Sequence, residues 1–269
     1  MSLQPTQPQS IGGVLDTSFQ LYKASVGAVW PICVLLVLGS SPPSIYMLTQ
    51  GVLTPDPNDP FAALAVFTKP GYLLSTLLSM VLTMWTLGAV YLKEQAIAVG
   101  EPLGIGQALG TSLGRTAVLF VMVILYILAI VIGSILLIVP GVILTVSLML
   151  AWNLALFELK GPIGALAGSH RLVWGNWWRT TTIITVGFVI VMVLYFAIAA
   201  LVGVVMALVG PGLEDPGFMG TIAGLIIGLV ANLLMLPYMV ALMLAVYWDL
   251  KLRKEGSDLA ARVGELKPA

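Results

Sequence analysis

The chain has 269 residues, of which 59% are hydrophobic and only 9% charged, and its mean hydropathy is +1.04. A soluble domain is roughly a quarter charged, so this chain lacks the groups to coat a globule in water. Its 12 basic and 12 acidic residues cancel, which leaves no net charge to recruit nucleic acid.

The opening residues, 1–10, are polar, rich in Pro and Gln, and free of basic side chains. They are not expected to be a signal peptide, whose start would be positive and run straight into an apolar core. Beyond them, five stretches carry no Asp, Glu, Lys, Arg or His: 24–55, 70–92, 116–157, 180–213 and 216–248. Crossing a bilayer as a helix takes about 20 apolar residues. Each stretch therefore reads as membrane-spanning. Residues 116–157 would make a single helix of about 63 Å, twice a hydrocarbon core. A break is expected at Val139-Pro140-Gly141, where Pro opens a new helix and Gly relaxes the turn. Six spans result, at about 26–48, 71–92, 117–138, 141–158, 181–209 and 219–248. The fold class is all-α and polytopic, with one membrane domain over 1–248 and a charged tail over 249–269.

Orientation follows from the basic residues. With the N-terminus in the cytoplasm, 11 of the 12 fall on the inner side and only Lys69 lies outside, beside Asp56, Asp59, Glu214 and Asp215. Such a bias places both termini in the cytoplasm.

A similar segment precedes each pair of spans. The three begin at Ile11-Gly12, Ile105-Gly106 and Ile163-Gly164, and each continues to a small hydroxyl residue: Ser18, Ser112 and Ser169. In the first, Ile11, Val14, Leu15, Ser18, Phe19 and Tyr22 fall on one helical stripe, which the second repeats. The third departs at His170 and Arg171. The expected architecture is three hairpins, each led by a short cytoplasmic interfacial helix with its apolar face toward lipid or the bundle. Ser10 is positioned to cap the first. Duplication accounts for the pattern; so does convergence on what the interface demands.

Leu15–Lys23 (LDTSFQLYK), Val139–Gly141 (VPG) and Ala155–Arg179 (ALFELKGPIGALAGSHRLVWGNWWR) resemble a large group of bacterial inner-membrane proteins. The group comprises the YciC-type proteins and the membrane domain attached to some glycerophosphodiester phosphodiesterases. That resemblance implies the fold. It implies no hydrolase, because in those enzymes catalysis belongs to a separate soluble barrel, and here only the 249–269 tail follows the last span.

Few residues invite chemistry. Cys33 is the sole cysteine and His170 the sole histidine, so no disulfide or multi-histidine metal site can form within the chain. No catalytic, cofactor-binding or metal-binding residue is assigned. The densest polar cluster is Arg171, Trp174, Trp177, Trp178 and Arg179. It reads either as a site for a phospholipid headgroup or other anion or as an interfacial anchor. Glu158 with His170 could serve acid–base work, but a loop salt bridge is the simpler reading. In the last span Gly220, Gly224, Gly228 and Asn232 recur every fourth residue, ahead of Pro237. Small residues at that spacing let helices approach closely, and a transporter would use Asn232 and the Pro237 kink along its pathway.

The sequence points to a non-enzymatic inner-membrane protein, without cofactor, that serves the envelope or another membrane protein. Its expected partners are membrane lipids, with a protein partner or a second copy left open. The alternative is a transporter or channel-like protein for a small or lipidic substrate. A polar cavity enclosed by the spans would favour the transporter, and a filled bundle with polar groups only at its ends the accessory role.

Overall fold

The computed structural model describes the backbone over residues 2–50, 62–209 and 216–265, and side chains over 2–50, 64–208, 227–230, 232–254 and 256. The described elements are helical: α1 (Ile11–Ser40), α2 (Pro42–Thr49), a 3-10 turn (Ala62–Thr68), α3 (Pro70–Val99), α4 (Ile105–Leu136), α5 (Ile138–Leu148), α6 (Ala151–Phe157), α7 (Pro162–Val173), α8 (Trp177–Val209) and α9 (Pro216–Glu265). Among the described residues, six stretches of helix are long and apolar enough to cross a membrane, including Ile105–Leu136 and Ile138–Phe157 as separate crossings. The protein is an all-α, multi-pass membrane protein.

Local chemistry sets the boundaries. The Ser10 hydroxyl accepts the Gly13 amide at 3.1 Å and opens α1. Pro70 begins α3, and Gly100, in the left-handed region at φ 80°, ends it. The break expected at Val139–Gly141 falls slightly earlier, at Leu137, whose extended backbone separates α4 from α5. Pro140 lies in the first turn of α5, where its missing N–H leaves no bond unmade. Gly133 and Gly141 pack here: a Cβ on Gly133 would stand 3.3 Å from the Gly141 backbone.

Two of the three expected interfacial helices are not separate. Residues 11–19 and 105–113 form the first turns of α1 and α4, which continue unbroken into their spans. Nothing between stripe and span interrupts either helix. The third is a helix of its own, α7, ended by the extended Trp174 and the left-handed Gly175 at φ 93°. One edge of each stripe faces the bundle, while Phe19, Leu113 and Ile163 stay exposed. Val14 and Ser18, Ala108 and Ser112, and Ala165 and Ser169 are all fully buried. Aligned on these pairs, the third segment keeps the four-residue spacing of the others.

Along the exposed faces, polar residues give way to apolar ones. On α1 the exposed Asp16, Gln20 and Lys23 precede Trp30 and Leu38; on α4 Gln107 and Thr111 precede Ala117 and Val121; on α8 Thr182 and Thr185 precede Val186 and Phe188. These switches mark where each helix enters the apolar layer. The end bearing the polar turns, where the N-terminal segment meets α9 at Asp249 and Arg253, is termed the basic end below. The tail read as beginning at residue 249 has no boundary there, since α9 runs on through Glu265.

Candidate functional site

The basic end is held by polar side chains bonded to backbone. Residues 2–10 cross it without regular secondary structure, with Ser2 Oγ and the Leu3 amide both donating to the Ala98 carbonyl at the end of α3. At the other end of this strap, the Gln9 amide donates to Asp249 Oδ1 at 2.8 Å. Asp249 Oδ2 accepts from Arg179 at 3.0 and 3.1 Å and from Arg253 at 3.0 Å. Both guanidiniums also donate to the Gln9 carbonyl at 2.6 Å. Asp249 is only 1% exposed. Two cations on one buried carboxylate tie the strap, the start of α8 and the 249–253 turn of α9 together, and leave one positive charge in excess. Charge-assisted bonds of this kind are the stronger ones.

Beside this knot the α7–α8 turn opens a hollow of about 480 Å³ lined by Trp174, Gly175, Asn176, Trp177, Trp178 and Arg179. It adjoins a second of about 470 Å³ that shares Trp174–Asn176 and is closed by Pro8, Leu252, Arg253, Lys254 and Gly256. Trp174 and Trp178 are 57% and 79% exposed, whereas the Trp177 indole turns in and donates to the Ile143 carbonyl at 3.3 Å. Trp178 lies eight residues before Val186, about 12 Å along the helix. Its side chain can therefore reach the headgroup layer.

The five cluster residues thus divide by role. Arg179 is committed to Asp249, Trp177 is bonded to α5, and Trp174 and Trp178 are open to their surroundings. Arg171 stands exposed on α7. Arg253 and Lys254 complete the basic lining and were read in the sequence only as tail charges. An i,i+4 pair such as Asp249–Arg253 is visible in sequence; its partners Gln9 and Arg179 are not.

Glu158 does not meet His170. Its carboxylate pairs with Lys160 at 2.7 Å, accepts from Tyr247 at 2.8 Å and stands 3.4 Å from Lys251. Burial disfavours its charged form, but the Lys160 and Tyr247 hydrogen bonds and the Lys251 and Lys160 charges outweigh that and hold the carboxyl below its usual value. Nearby, Arg115 donates to the Ala155 and Lys160 carbonyls at 2.7 and 2.6 Å, placing a cation at the C-terminus of α6 where the helix dipole favours it. Leu159 there takes the left-handed region at φ 53°.

The glycine stripe of the last span does not form a contact over its described part. A Cβ on Gly228 would meet nothing within 4 Å, and Asn232 is exposed with its amide turned back to the Gly228 carbonyl at 2.9 Å. The surroundings of Gly220 and Gly224 lie outside the described residues. Close approach occurs elsewhere, at Gly88, where a Cβ would collide with Ser112 on α4. Around it, the Trp85 indole donates to the Leu109 carbonyl at 2.8 Å and the Ser112 hydroxyl donates to the Trp85 carbonyl at 2.5 Å.

Among the other polar groups inside the bundle, Ser169 and Glu94 stand out. Ser169 donates to the Ser147 carbonyl at 2.8 Å and accepts the Leu150 amide at 3.1 Å, which restores bonds lost at the α5–α6 break. Glu94 on α3 is fully buried, and neither carboxyl oxygen has a hydrogen-bond partner of good geometry; the Ser25 hydroxyl of α1 is its polar neighbour.

No protein-family model and no solved structure matches the chain.

Proposed function

We propose that this chain is a bacterial inner-membrane protein of the YciC-like group, non-enzymatic, with its basic end in the cytoplasm, and that it serves as an accessory protein gripping anionic lipid there. The observation that supports this most directly is the open, tryptophan-walled groove beside a knot in which two guanidiniums share one buried carboxylate. Trp174 and Trp178 suit the amphipathic headgroup layer, while Lys254 and the positive charge in excess at the Asp249 knot attract phosphate. Arg179 acts differently. It holds Asp249 and positions the groove wall, so an Arg179→Lys variant would report on folding rather than on headgroup binding.

The transporter reading draws support from the buried, unpaired Glu94 and the break between α5 and α6, since both features recur along transport pathways. Against it, Ser169 closes the break, and the core around it is filled by apolar side chains such as Leu150, Ala151 and Leu154. The accessory reading is therefore preferred.

The test uses purified protein with Lys254→Gln and Trp178→Ala variants, scored by thermal unfolding in phosphatidylglycerol and in phosphatidylcholine of matched chains. A ligand at 100 times its Kd adds about 2.7 kcal/mol of apparent stability. Phosphatidylglycerol should stabilise the wild type more than phosphatidylcholine does, and each variant should narrow the gap. Equal responses to the two lipids in the wild type would remove the groove from lipid recognition.

A further inference from the structure

Apart from the tryptophan groove, α1, α8 and α9 enclose a different hollow. Its volume is about 260 Å³, and its lining runs from Phe19, Tyr22 and Tyr238 to Ile190, Leu194 and Leu234. We propose that this crevice seats one acyl chain of an anionic phospholipid, with the lipid phosphate held by Lys23.

Four observations place that occupant. The crevice begins where the exposed faces turn apolar. On α1, Lys23 is the last exposed charge before the apolar run, and on α8 the switch at Thr185–Val186 lies one turn before Ile190. The lining is ordered as the ligand is. Three aromatic rings stand at the polar boundary, and aliphatic side chains continue along α8 as far as Ile198, eight residues or about 12 Å beyond Ile190. The rings pack on one another, with Phe19 stacked on Tyr22 at 6.2 Å and Tyr22 edge-on to Tyr238 at 5.9 Å. The cation is aimed correctly: the Lys23 ammonium lies 4.5 Å from the Phe19 ring centre. Phe19 is one turn nearer the basic end, so the side chain reaches back toward the polar boundary while its stem covers apolar surface. A surface meant only for bulk lipid needs neither a packed aromatic rim nor a charge at the mouth of a recess. The crevice shares no lining residue with the tryptophan groove, so this inference does not depend on the reading of that groove.

The experiment counts lipids retained by the detergent-purified protein in native mass spectrometry, in a Lys254→Gln background so that the groove contributes little. Phosphatidylglycerol and phosphatidylcholine of identical chains are titrated separately. One phosphatidylglycerol should bind at concentrations where phosphatidylcholine does not. Lys23→Gln should weaken it about fivefold, the worth of one basic residue near a membrane surface, and leave phosphatidylcholine unchanged. Leu194→Trp, which fills the recess from a half-exposed position, should abolish this first bound lipid, whereas Leu128→Trp on the exposed face of α4 should not. Equal binding of the two lipids, no response to Lys23→Gln, or equal losses from both Trp substitutions would overturn the proposal. So would a shift from dimer to monomer in Leu194→Trp with lipid retention unchanged, because the crevice would then seat a second copy.

Discussion

From Val240 to Leu250 every residue of α9 is buried, whereas between Phe188 and Leu208 α8 has no buried residue at all. Both segments are helical and almost wholly apolar, yet one is enclosed and the other stands against its surroundings. The bare tip of the α4–α5 hairpin resembles the second, with Ile135 to Val139 all more than 60% exposed. The difference follows from the solvent. In lipid an exposed Leu loses nothing by leaving its neighbours, so apolar surface there gives helices little reason to close. At the basic end the same surface would meet water. There α1, α3, α6 and α9 pack around Leu21, Tyr91, Leu154 and Trp248, and polar clasps fix the register. If this contrast is correct, single substitutions should be severe at the basic end and mild in the outer halves of α8 and α9.

The largest effect is expected at Asp249. Asp249→Ala leaves Arg179 and Arg253 crowded together without their carboxylate and frees the Gln9 amide. Removing one partner of a buried ion pair typically costs 3–5 kcal/mol. Thermal unfolding in detergent should fall accordingly, and limited proteolysis should cut the strap at residues 2–10 first. A stable variant with an intact strap would show that packing alone holds this end.

Glycine substitutions sharpen the comparison at intermediate size. Gly88→Leu drives a side chain into Ser112 and should cost about 1–3 kcal/mol as overpacking. Gly228→Leu faces open space in the outer half of α9 and should stay within about 0.5 kcal/mol of wild type. Comparable melting of the two variants would mean that α9 packs against something at Gly228, restoring the contact expected from the four-residue stripe.

These pairs show where sequence sufficed and where it did not. Runs without charge located the six crossings, length and the Pro140-Gly141 pair the split of 116–157, and residue type the capping role of Ser10, because each depends on neighbours along the chain. The four-residue glycine spacing misled, since close approach needs a partner helix at that height, and Gly88, in no such stripe, has one in α4. Asp249 looked like the first residue of a solvated tail. Only the fold brings it to Gln9 and Arg179, 240 and 70 residues away. Continuity of the leading stripes with α1 and α4 was open to sequence in principle, because no breaker intervenes. The turn at Gly175 that isolates α7 is likewise written in a residue suited to a positive φ. Glu94 was passed over because it stands beside Lys93, just beyond a charge-free run, where a solvated pair is the ordinary expectation.

The smallest expected effect is a dependence on pH, and it again separates the two regions. In the folded protein Glu158 is stabilised as a carboxylate by Lys160, Tyr247 and Lys251, so its folded pKa lies below its unfolded one. A depressed carboxyl contributes stability that is fully present above the unfolded pKa, about 4.3 for Glu, and is lost as pH falls through the folded value. The contribution of Glu158 should therefore be flat near neutrality and decline below about pH 4. In Glu158→Gln, which keeps the shape but not the charge, that decline should vanish. The loss is modest because the Glu158 and Lys160 side chains keep 27% and 35% of their surface exposed, and water screens exposed pairs. Salt discriminates further, since added salt weakens partly exposed ion pairs far more than buried ones. The contribution of Glu158 should shrink with salt while that of Asp249, measured in parallel, holds. If both respond alike, the knot at Asp249 is as open to solvent as the loop at Glu158, and the basic end is less enclosed than its geometry indicates.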